Sequence, residues 1–136
     1  MESNILQAFS LIDGQCKIAI LNMRSGPEWH YLRWTSYEEF MNERNGSGPV
    51  MSDYNLVYTE DAEVLFPEWT SEQIEADVFR FLEHVYCTFQ DGRVESYKGH
   101  SLSMSDVIGL SNGCGKVHWF YVDTYGFKML EGFIKP

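Results

Sequence analysis

Long apolar runs are missing from this 136-residue sequence. No run approaches the ~18 residues that a membrane-spanning helix requires, and the opening Met-Glu-Ser-Asn carries no basic segment of the kind that begins a signal peptide. Cysteine is also scarce, because its three occurrences are odd in number and include no Cys-x-x-Cys pair. We therefore expect a cytoplasmic protein with reduced thiols. A structural zinc site is not expected, since it needs four close-set Cys or His ligands.

Basic residues are few. Ten Lys and Arg residues stand against twenty Asp and Glu residues, which leaves a formal net charge of −10 at pH 7. A chain of this charge repels phosphate backbones and anionic lipid surfaces. We therefore expect neither direct nucleic-acid binding nor membrane binding, whereas a basic protein is a suitable partner.

The sequence does contain enough apolar material for a core. Hydrophobic residues make up 44% of the chain and aromatic residues 15%, which is typical of a globular protein and not of a disordered one. The length predicts one domain over residues 1–136. Within it we distinguish residues 1–49, which hold an N-terminal hairpin, a strand and a first helix, from a core over residues 50–136.

Turn and strand signals dominate the N-terminal part. Asp13-Gly14 lies between the apolar segments Leu6–Ile12 and Cys16–Leu21, and this pattern predicts a hairpin. A further short strand is predicted over Trp29–Trp34, where large side chains alternate between two faces.

Two helices are predicted from their capping signals. Thr35 and Ser36 are each followed three residues later by Glu, so the first helix begins at one of them. It ends by the loop Asn45–Pro49, which is rich in Gly, Asn and Ser. The second helix begins near Thr70, where Gln follows three residues later, and it continues with an apolar stripe at helical spacing.

The remaining apolar segments are predicted to be strands. They are Tyr54–Thr59, a small strand-turn-strand feature over Thr88–Tyr97, and a hairpin whose strands Val107–Leu110 and 117–123 flank a glycine-rich turn. Short connections between such strands suit antiparallel pairing. The expected fold class is α+β, a single compact domain with a mainly antiparallel sheet and two principal helices.

One motif identifies a family. Residues 99–108 are Gly-His-Ser-Leu-Ser-Met-Ser-Asp-Val-Ile, and residues 121–127 are Tyr-Val-Asp-Thr-Tyr-Gly-Phe. Together they closely resemble the signature of the YodL-like domain family. The resemblance extends upstream to Asp53–Thr59 and more loosely to Leu32–Tyr37, so it covers residues 50–134 well and residues 1–49 loosely. It implies an accessory protein of phages, plasmids or integrative elements, often encoded beside conjugation or anti-restriction genes, and it carries no shared catalytic activity.

The signature allows a structural and a catalytic interpretation. In the structural one, its Ser and Asp side chains close a turn at the strand entrance by bonding to nearby backbone. In the catalytic one, His100 is a base, a nearby serine is the nucleophile, and Asp106 or Asp123 orients the histidine. Residues so close in sequence rarely form such a triad, and no Gly-x-Ser-x-Gly elbow is present. We favour the turn, and single out these signature-loop residues: His100, Ser101, Ser103, Ser105, Asp106, Asp123, Gly126 and Phe127.

A strongly acidic segment is the other candidate. Between residues 53 and 83 the only base is Arg80. These acids are either a solvated face that keeps the protein soluble or a docking surface for an Arg- and Lys-lined groove. A metal site among them is not expected, because the glycine-kinked Asp-x-Asp-x-Asp loop is absent, and no cofactor is expected. The candidate partner-binding residues are Glu60, Asp61, Glu63, Glu68, Glu72, Glu75 and Asp77, with Phe66 and Trp69 as apolar anchors.

Three functions follow from these features. The first is an acidic, non-enzymatic inhibitor of the anti-CRISPR or anti-restriction type, whose partner is a basic, nucleic-acid-binding host protein such as a CRISPR effector nuclease. The second is an adaptor in mobile-element replication or transfer, which would contact its partner through the His100–Asp106 loop. The third, least favoured, is a small hydrolase that uses His100 and a nearby serine.

Overall fold

Five strands form one antiparallel sheet with the order β2-β1-β3-β4-β5. A computed structural model describes residues 16–90, 94, 96–111 and 117–133 of the chain. The strands are β1 (Lys17–Met23), β2 (Tyr54–Asp61), β3 (Val107–Ser111), β4 (Val117–Val122) and β5 (Phe127–Leu130). The helices are α1 (Tyr37–Glu43), α2 (Ala62–Leu65), α3 (Ser71–Ala76) and α4 (Val78–Gln90), with a 3-10 turn over Met51–Asp53. The predicted α+β class with an antiparallel sheet and two longer helices is confirmed.

Both faces of the sheet are covered, because the central strands carry apolar side chains on each side. On one face, α4 buries the stripe Phe81, Leu82, Val85 and Phe89 against Ile18, Ile20, Ile108, Leu110, Phe120 and Val122. On the other face, Phe40 of α1 joins a cluster with Leu32, Met51, Tyr54, Val107, Trp119, Tyr121 and Phe133. The sheet is therefore the middle of three layers.

The helix starts follow the capping signals. Ser36 caps α1 with a complete capping box to Glu39, and Thr70 caps α3 with a box to Gln73. The second predicted helix is divided, because Asp77 leaves the helical region at φ −145° and ψ 65° and separates α3 from α4. Within the described residues, no helix has the length and apolarity to cross a bilayer.

Two strand predictions are wrong. Trp29–Trp34 forms helical turns, in which the Arg33 N–H donates to the Trp29 carbonyl over 3.2 Å. The backbone turns here because Gly26 has φ 127° and Pro27 follows it, and these two residues start the first turn. Thr88–Gln90 belongs to α4, because buried Phe89 continues the apolar stripe of that helix. Residues 91–93 and 95 of this predicted feature lie outside the described residues, and Val94, Ser96 and Tyr97 do not belong to a strand.

The N-terminal hairpin prediction is only partly covered. Its second strand is present as β1, whereas Leu6–Ile12 and the turn Asp13-Gly14 lie outside the described residues. Both edges of β1 are occupied, since it pairs with β2 on one side and with β3 on the other. The β3–β4 hairpin is as predicted, although its turn over residues 112–116 also lies outside the described part.

Candidate functional site

The carboxylate of Asp106 is the centre of the signature loop. It is buried at the start of β3, where Oδ1 accepts from the Met23 N–H over 2.9 Å and Oδ2 accepts from the Ser103 N–H over 3.0 Å. The Asn22 amide and the Ser103 hydroxyl also donate to Oδ2, over 3.3 Å and 3.4 Å. Asp106 thus joins the end of β1 to its own loop.

Burial has an electrostatic consequence at this residue. It raises the pKa of Asp106 from its ordinary value to about 6, while the hydrogen bonds from Met23 and Ser103 and the neighbouring His100 ring act in the opposite direction. The His100 Nδ1 lies 3.7 Å from Asp106 Oδ2. The loop therefore holds a carboxylate that changes charge in a mildly acidic range.

A polar cluster extends this network toward the surface. Asn22 Oδ1 accepts the His100 N–H over 3.2 Å, and the Asn22 amide donates to the Tyr97 hydroxyl over 3.3 Å. Gly99 lies where these groups converge: a Cβ there would meet Asn22 Oδ1 and would lie 2.7 Å from the Tyr97 hydroxyl. Only glycine fits this position without displacing its neighbours.

Ser105 connects the loop to the opposite layer. Its hydroxyl accepts the Trp34 N–H over 3.1 Å, its carbonyl accepts from the Tyr54 hydroxyl over 2.7 Å, and its N–H donates to the Val122 carbonyl. The backbone of Ser105 has φ 84°, a conformation that non-glycine residues adopt rarely. Burial raises the pKa of Tyr54 well above its ordinary value, which keeps this hydroxyl a donor.

The second half of the signature holds α1. Asp123 Oδ1 accepts the N–H of Tyr37, the first residue of α1, over 2.9 Å and the N–H of Thr124 over 2.8 Å. The Tyr121 hydroxyl donates to the Thr35 carbonyl over 2.7 Å, and burial raises the pKa of Tyr121. Gly126 supplies the positive φ, 78°, that the turn into β5 requires.

The signature residues differ in exposure. Ser105 and Asp106 are buried, Ser103, Asp123 and Phe127 are partly buried, and Phe127 packs against Tyr86. His100, Ser101 and Gly126 are exposed.

The catalytic interpretation has little geometric support. His100 Nδ1 is directed at the Ser101 carbonyl, 2.9 Å away, and the Ser103 hydroxyl is directed at Asp106. Among the residues that the structure describes, no serine hydroxyl is hydrogen-bonded to the His100 ring. Asp123 serves α1 and not His100. The same polar atoms that suggested a triad are engaged in holding the loop.

Most of the acidic residues belong to the helical layer formed by α2, α3 and α4 or to the links between these helices. Glu60 and Asp61, at the end of β2, are partly buried, and Asp61 Oδ1 is a buried oxygen without a hydrogen-bond partner. Glu75 belongs to α3. We call the exposed carboxylates of this layer the acidic helical surface: Glu63, Glu68, Glu72, Asp77 and Glu83.

The proposed apolar anchors need correction. Phe66 is only 4% exposed and packs edge-on against Phe81, so it belongs to the core and cannot contact a partner. Trp69 is partly buried against Phe81. The large apolar side chains that are exposed in this layer are Val64 and Phe79, the latter 54% exposed. Phe79 was not singled out because it fits the apolar stripe of the second predicted helix as well as its buried neighbours do, and Val64 was not because it lies in a segment predicted to be a connection.

The face of the sheet opposite the helical layer carries exposed charges of both signs, because the acids Glu28, Glu38, Glu39 and Glu43 lie there beside several basic residues. The opposite layer carries four basic residues whose cations lie over aromatic rings; the pairs are Arg24 with Trp29, Arg33 with Trp34, Arg44 with Phe40 and Lys128 with Tyr37. Arg44 also forms a 2.8 Å ion pair with Asp53, which is buried and so does not contribute to the acidic helical surface. Within the described part of the chain, no group of three His, Cys, Asp or Glu residues is arranged to hold a metal ion.

Comparison with known proteins gives one match. The family model described as YodL-like domain matches residues 17–133, from the first residue of β1 to the buried Phe133 after β5. Neither the curated proteins nor the solved structures give a match. The matched segment contains all five strands, both capped helices and the complete Asp106 network. This chain belongs to the YodL-like domain family.

Proposed function

We propose that this protein is a binding protein that docks its acidic helical surface on the basic, nucleic-acid-binding groove of a host defence enzyme. The observation that carries the proposal is the excess of exposed acids over bases in the helical layer. From β2 to the end of α4 the sequence contains eight acidic residues and a single base, Arg80. Five of these acids are exposed on the helical layer.

Such a surface is complementary in charge to a basic groove that binds the phosphates of nucleic acid. Complementary potentials raise the association rate and select among partners, although they add less to final affinity. The acidic helical surface would compete with nucleic acid for the same Arg and Lys side chains. A CRISPR effector nuclease or a restriction enzyme is the partner class that we propose.

Affinity in such a complex comes mainly from a few buried apolar contacts. Phe79 and Val64 are the exposed apolar side chains of this layer. Phe79 lies one turn before Glu83 on α4, so an apolar anchor and a carboxylate share one helix face. We propose Phe79 as the main anchor, in the place first given to Phe66.

The test is a competition measurement. A panel of CRISPR and restriction nucleases is titrated with the protein at two salt concentrations, and binding of target DNA is measured. We expect one nuclease to lose DNA binding, and the inhibition to weaken at the higher salt because ion pairs at a protein surface are screened.

Two double variants with the same net charge locate the surface. Glu68→Lys with Glu83→Lys changes the acidic helical surface, whereas Glu28→Lys with Glu43→Lys changes exposed acids outside the helical layer. The first pair should abolish inhibition and the second should leave most of it. Equal inhibition by both variants, or intact DNA binding and cleavage across the panel, would contradict the proposal.

The adaptor function is the second candidate, and exposed aromatic side chains near the signature loop favour it. Trp34, which is bonded to Ser105 of the loop, is 58% exposed, and Tyr125 in the β4–β5 turn is 94% exposed. A replication or transfer protein of a mobile element, such as a primase, relaxase or helicase, would contact these rings. Recovery of such a protein by wild type but not by Trp34→Ala would support the adaptor.

A further inference from the structure

The outer edge of β5 offers backbone hydrogen-bonding groups. The Asp123 N–H donates to the Gly126 carbonyl, and the Val122 N–H donates to the Asp106 carbonyl on the other side of β4. The Gly126 carbonyl therefore points toward β4. Because the backbone N–H and C=O groups of successive strand residues point to alternate sides, those of Lys128 and Leu130 also point toward β4. Phe127 and Met129 therefore direct their N–H and C=O groups away from the sheet, where no strand of the described chain pairs with them.

Apolar side chains border this edge on the helical face. Met129 lies directly opposite Phe120 in the β4–β5 pair and is 47% exposed. Phe79 of α4 packs edge-on against the same Phe120, with ring centroids 6.1 Å apart. Phe127, two residues from Met129, lies against Tyr86 of α4. The edge thus combines open backbone groups with an apolar strip between α4 and β5.

The other edge of the sheet differs. β2 has a register shift opposite Ile20 and Leu21, which leaves Val57 as an extra residue. A bulge of this kind interrupts a regular ladder and protects an edge from further pairing. β5 has no such interruption, since its four residues pair in continuous register with β4.

Charge indicates which strand would fit. Glu83 follows Phe79 by one helical turn, and exposed Glu131 follows β5 directly. A second copy of this chain is a poor occupant in the register that joins Phe127 to Met129 of the other copy, because a two-fold pairing about Lys128 places Lys128 opposite itself, and like charges directly opposite destabilise a strand pair. The net charge of −10 adds to this repulsion.

We propose that β5 receives an extended, basic segment of a partner protein, which adds to the sheet as a sixth strand. Main-chain hydrogen bonds to Phe127 and Met129 give affinity, and alternate apolar side chains of the segment cover Met129 and Phe79. Lys or Arg residues at the ends of the segment pair with Glu83 and Glu131. This site shares Phe79 and Glu83 with the proposed nuclease-docking surface, but its main-chain contacts lie on β5 alone. Peptide binding to β5 therefore tests it whether or not a nuclease is inhibited.

A designed peptide tests the site. The probe is acetyl-Lys-Arg-Val-Thr-Val-Thr-Val-Arg-Lys-amide, titrated into the full chain while backbone amide chemical shifts and hydrogen exchange are recorded. We expect shifts along β5 and slower exchange at the Phe127 and Met129 amides. The same peptide with N-methylated valines should fail to bind, because it cannot donate main-chain hydrogen bonds, and a peptide with Glu in place of Lys and Arg should bind more weakly.

Variants separate backbone from side-chain contributions. Met129→Pro removes one outward N–H and leaves the β4–β5 bonds intact, since proline is tolerated on an edge strand in that position. It should weaken peptide binding by about tenfold, whereas Met129→Ala removes only the side-chain contact. If Met129→Pro does not fold, the exchange measurement on the wild-type chain decides the question.

Three results would overturn the proposal. They are absence of peptide binding, equal binding of the N-methylated peptide, and unprotected Phe127 and Met129 amides in the presence of the peptide. Sedimentation of the protein alone provides a further test. A dimer that Met129→Pro abolishes would assign the edge to a second copy.

Discussion

The Trp34 N–H donates to the Ser105 hydroxyl over 3.1 Å, and both residues have positive φ, 60° for Trp34 and 84° for Ser105. Each such conformation costs on the order of 1 kcal/mol or more in a non-glycine residue. The two strained positions therefore support each other across the junction of the signature loop and the turn before α1. This bond holds the backbone of Trp34, from which the exposed ring projects.

Substitutions of Ser105 should lower the free energy of unfolding, and Ala should lower it more than Gly. Ser105→Ala removes the acceptor of the Trp34 N–H and keeps the backbone strain, so we expect a loss of roughly 1–3 kcal/mol in the free energy of unfolding. Ser105→Gly loses the same bond but relieves the strain at φ 84°, so it should be the less destabilising of the two. Urea unfolding measures both, and an inverted order would contradict the account of strain.

Asp106 should make stability depend on pH. Its folded-state pKa, about 6, exceeds its ordinary value of 3.8, so the folded state binds more protons than the unfolded state between these values. Its contribution to the free energy of unfolding is therefore full below pH 3.8 and falls as pH rises through 6.

Asp106→Asn is the matching variant. It should be less stable than wild type, because its amide nitrogen cannot accept both N–H groups that the carboxylate accepts. The difference in unfolding free energy between the two proteins should shrink as pH rises from 4 to 6. A difference that is constant with pH would show that Asp106 does not titrate in this range.

Gly99 should not tolerate a side chain. Gly99→Ala places a methyl group against Asn22 Oδ1 and the Tyr97 hydroxyl, and we expect a destabilisation of about 1–3 kcal/mol from the forced displacement. Gly48→Ala is a suitable control, because its nearest neighbour, Met41 Sδ, would lie at an ordinary 3.4 Å. Thermal unfolding of the two variants should differ clearly, and equal values would contradict the close packing at Gly99.

Alanine substitutions of Phe66 and Phe79 should have different effects, the first mainly on stability and the second mainly on partner binding. Phe66→Ala leaves a cavity beside Phe81, and we expect it to lower the free energy of unfolding by about 3–5 kcal/mol. Phe79→Ala removes a half-exposed ring, so its effect on stability should be much smaller while partner binding weakens. Chemical denaturation and the DNA competition measurement test the two effects, and similar stability losses in both variants would contradict the assignment.

Local signals account for the parts of the fold that the sequence predicted. Ser36 and Thr70 correctly predict the starts of their helices, because each capping box is formed within four residues. The period-two pattern of β4 predicted a strand there, and the signature over residues 99–108 and 121–127 predicted the family, whose model matches residues 17–133. Trp29–Trp34 was misassigned because its alternating side chains resemble a strand, while the turn at Gly26 and Pro27 sets the backbone.

Long-range contacts decided the rest. Asp106 and Met23 are far apart in the sequence, so no local pattern could reveal that a buried carboxylate joins the loop to β1. Phe66 and Phe79 are both aromatic residues of the acidic segment, each two positions from an acid. Only the tertiary packing buries Phe66 and exposes Phe79. The net charge, the capped starts of α1 and α3 and the alternation of the strands follow from the sequence, because these features depend on composition and near neighbours. The tertiary structure alone decided which acids and rings face solvent, because burial depends on residues that the fold brings together.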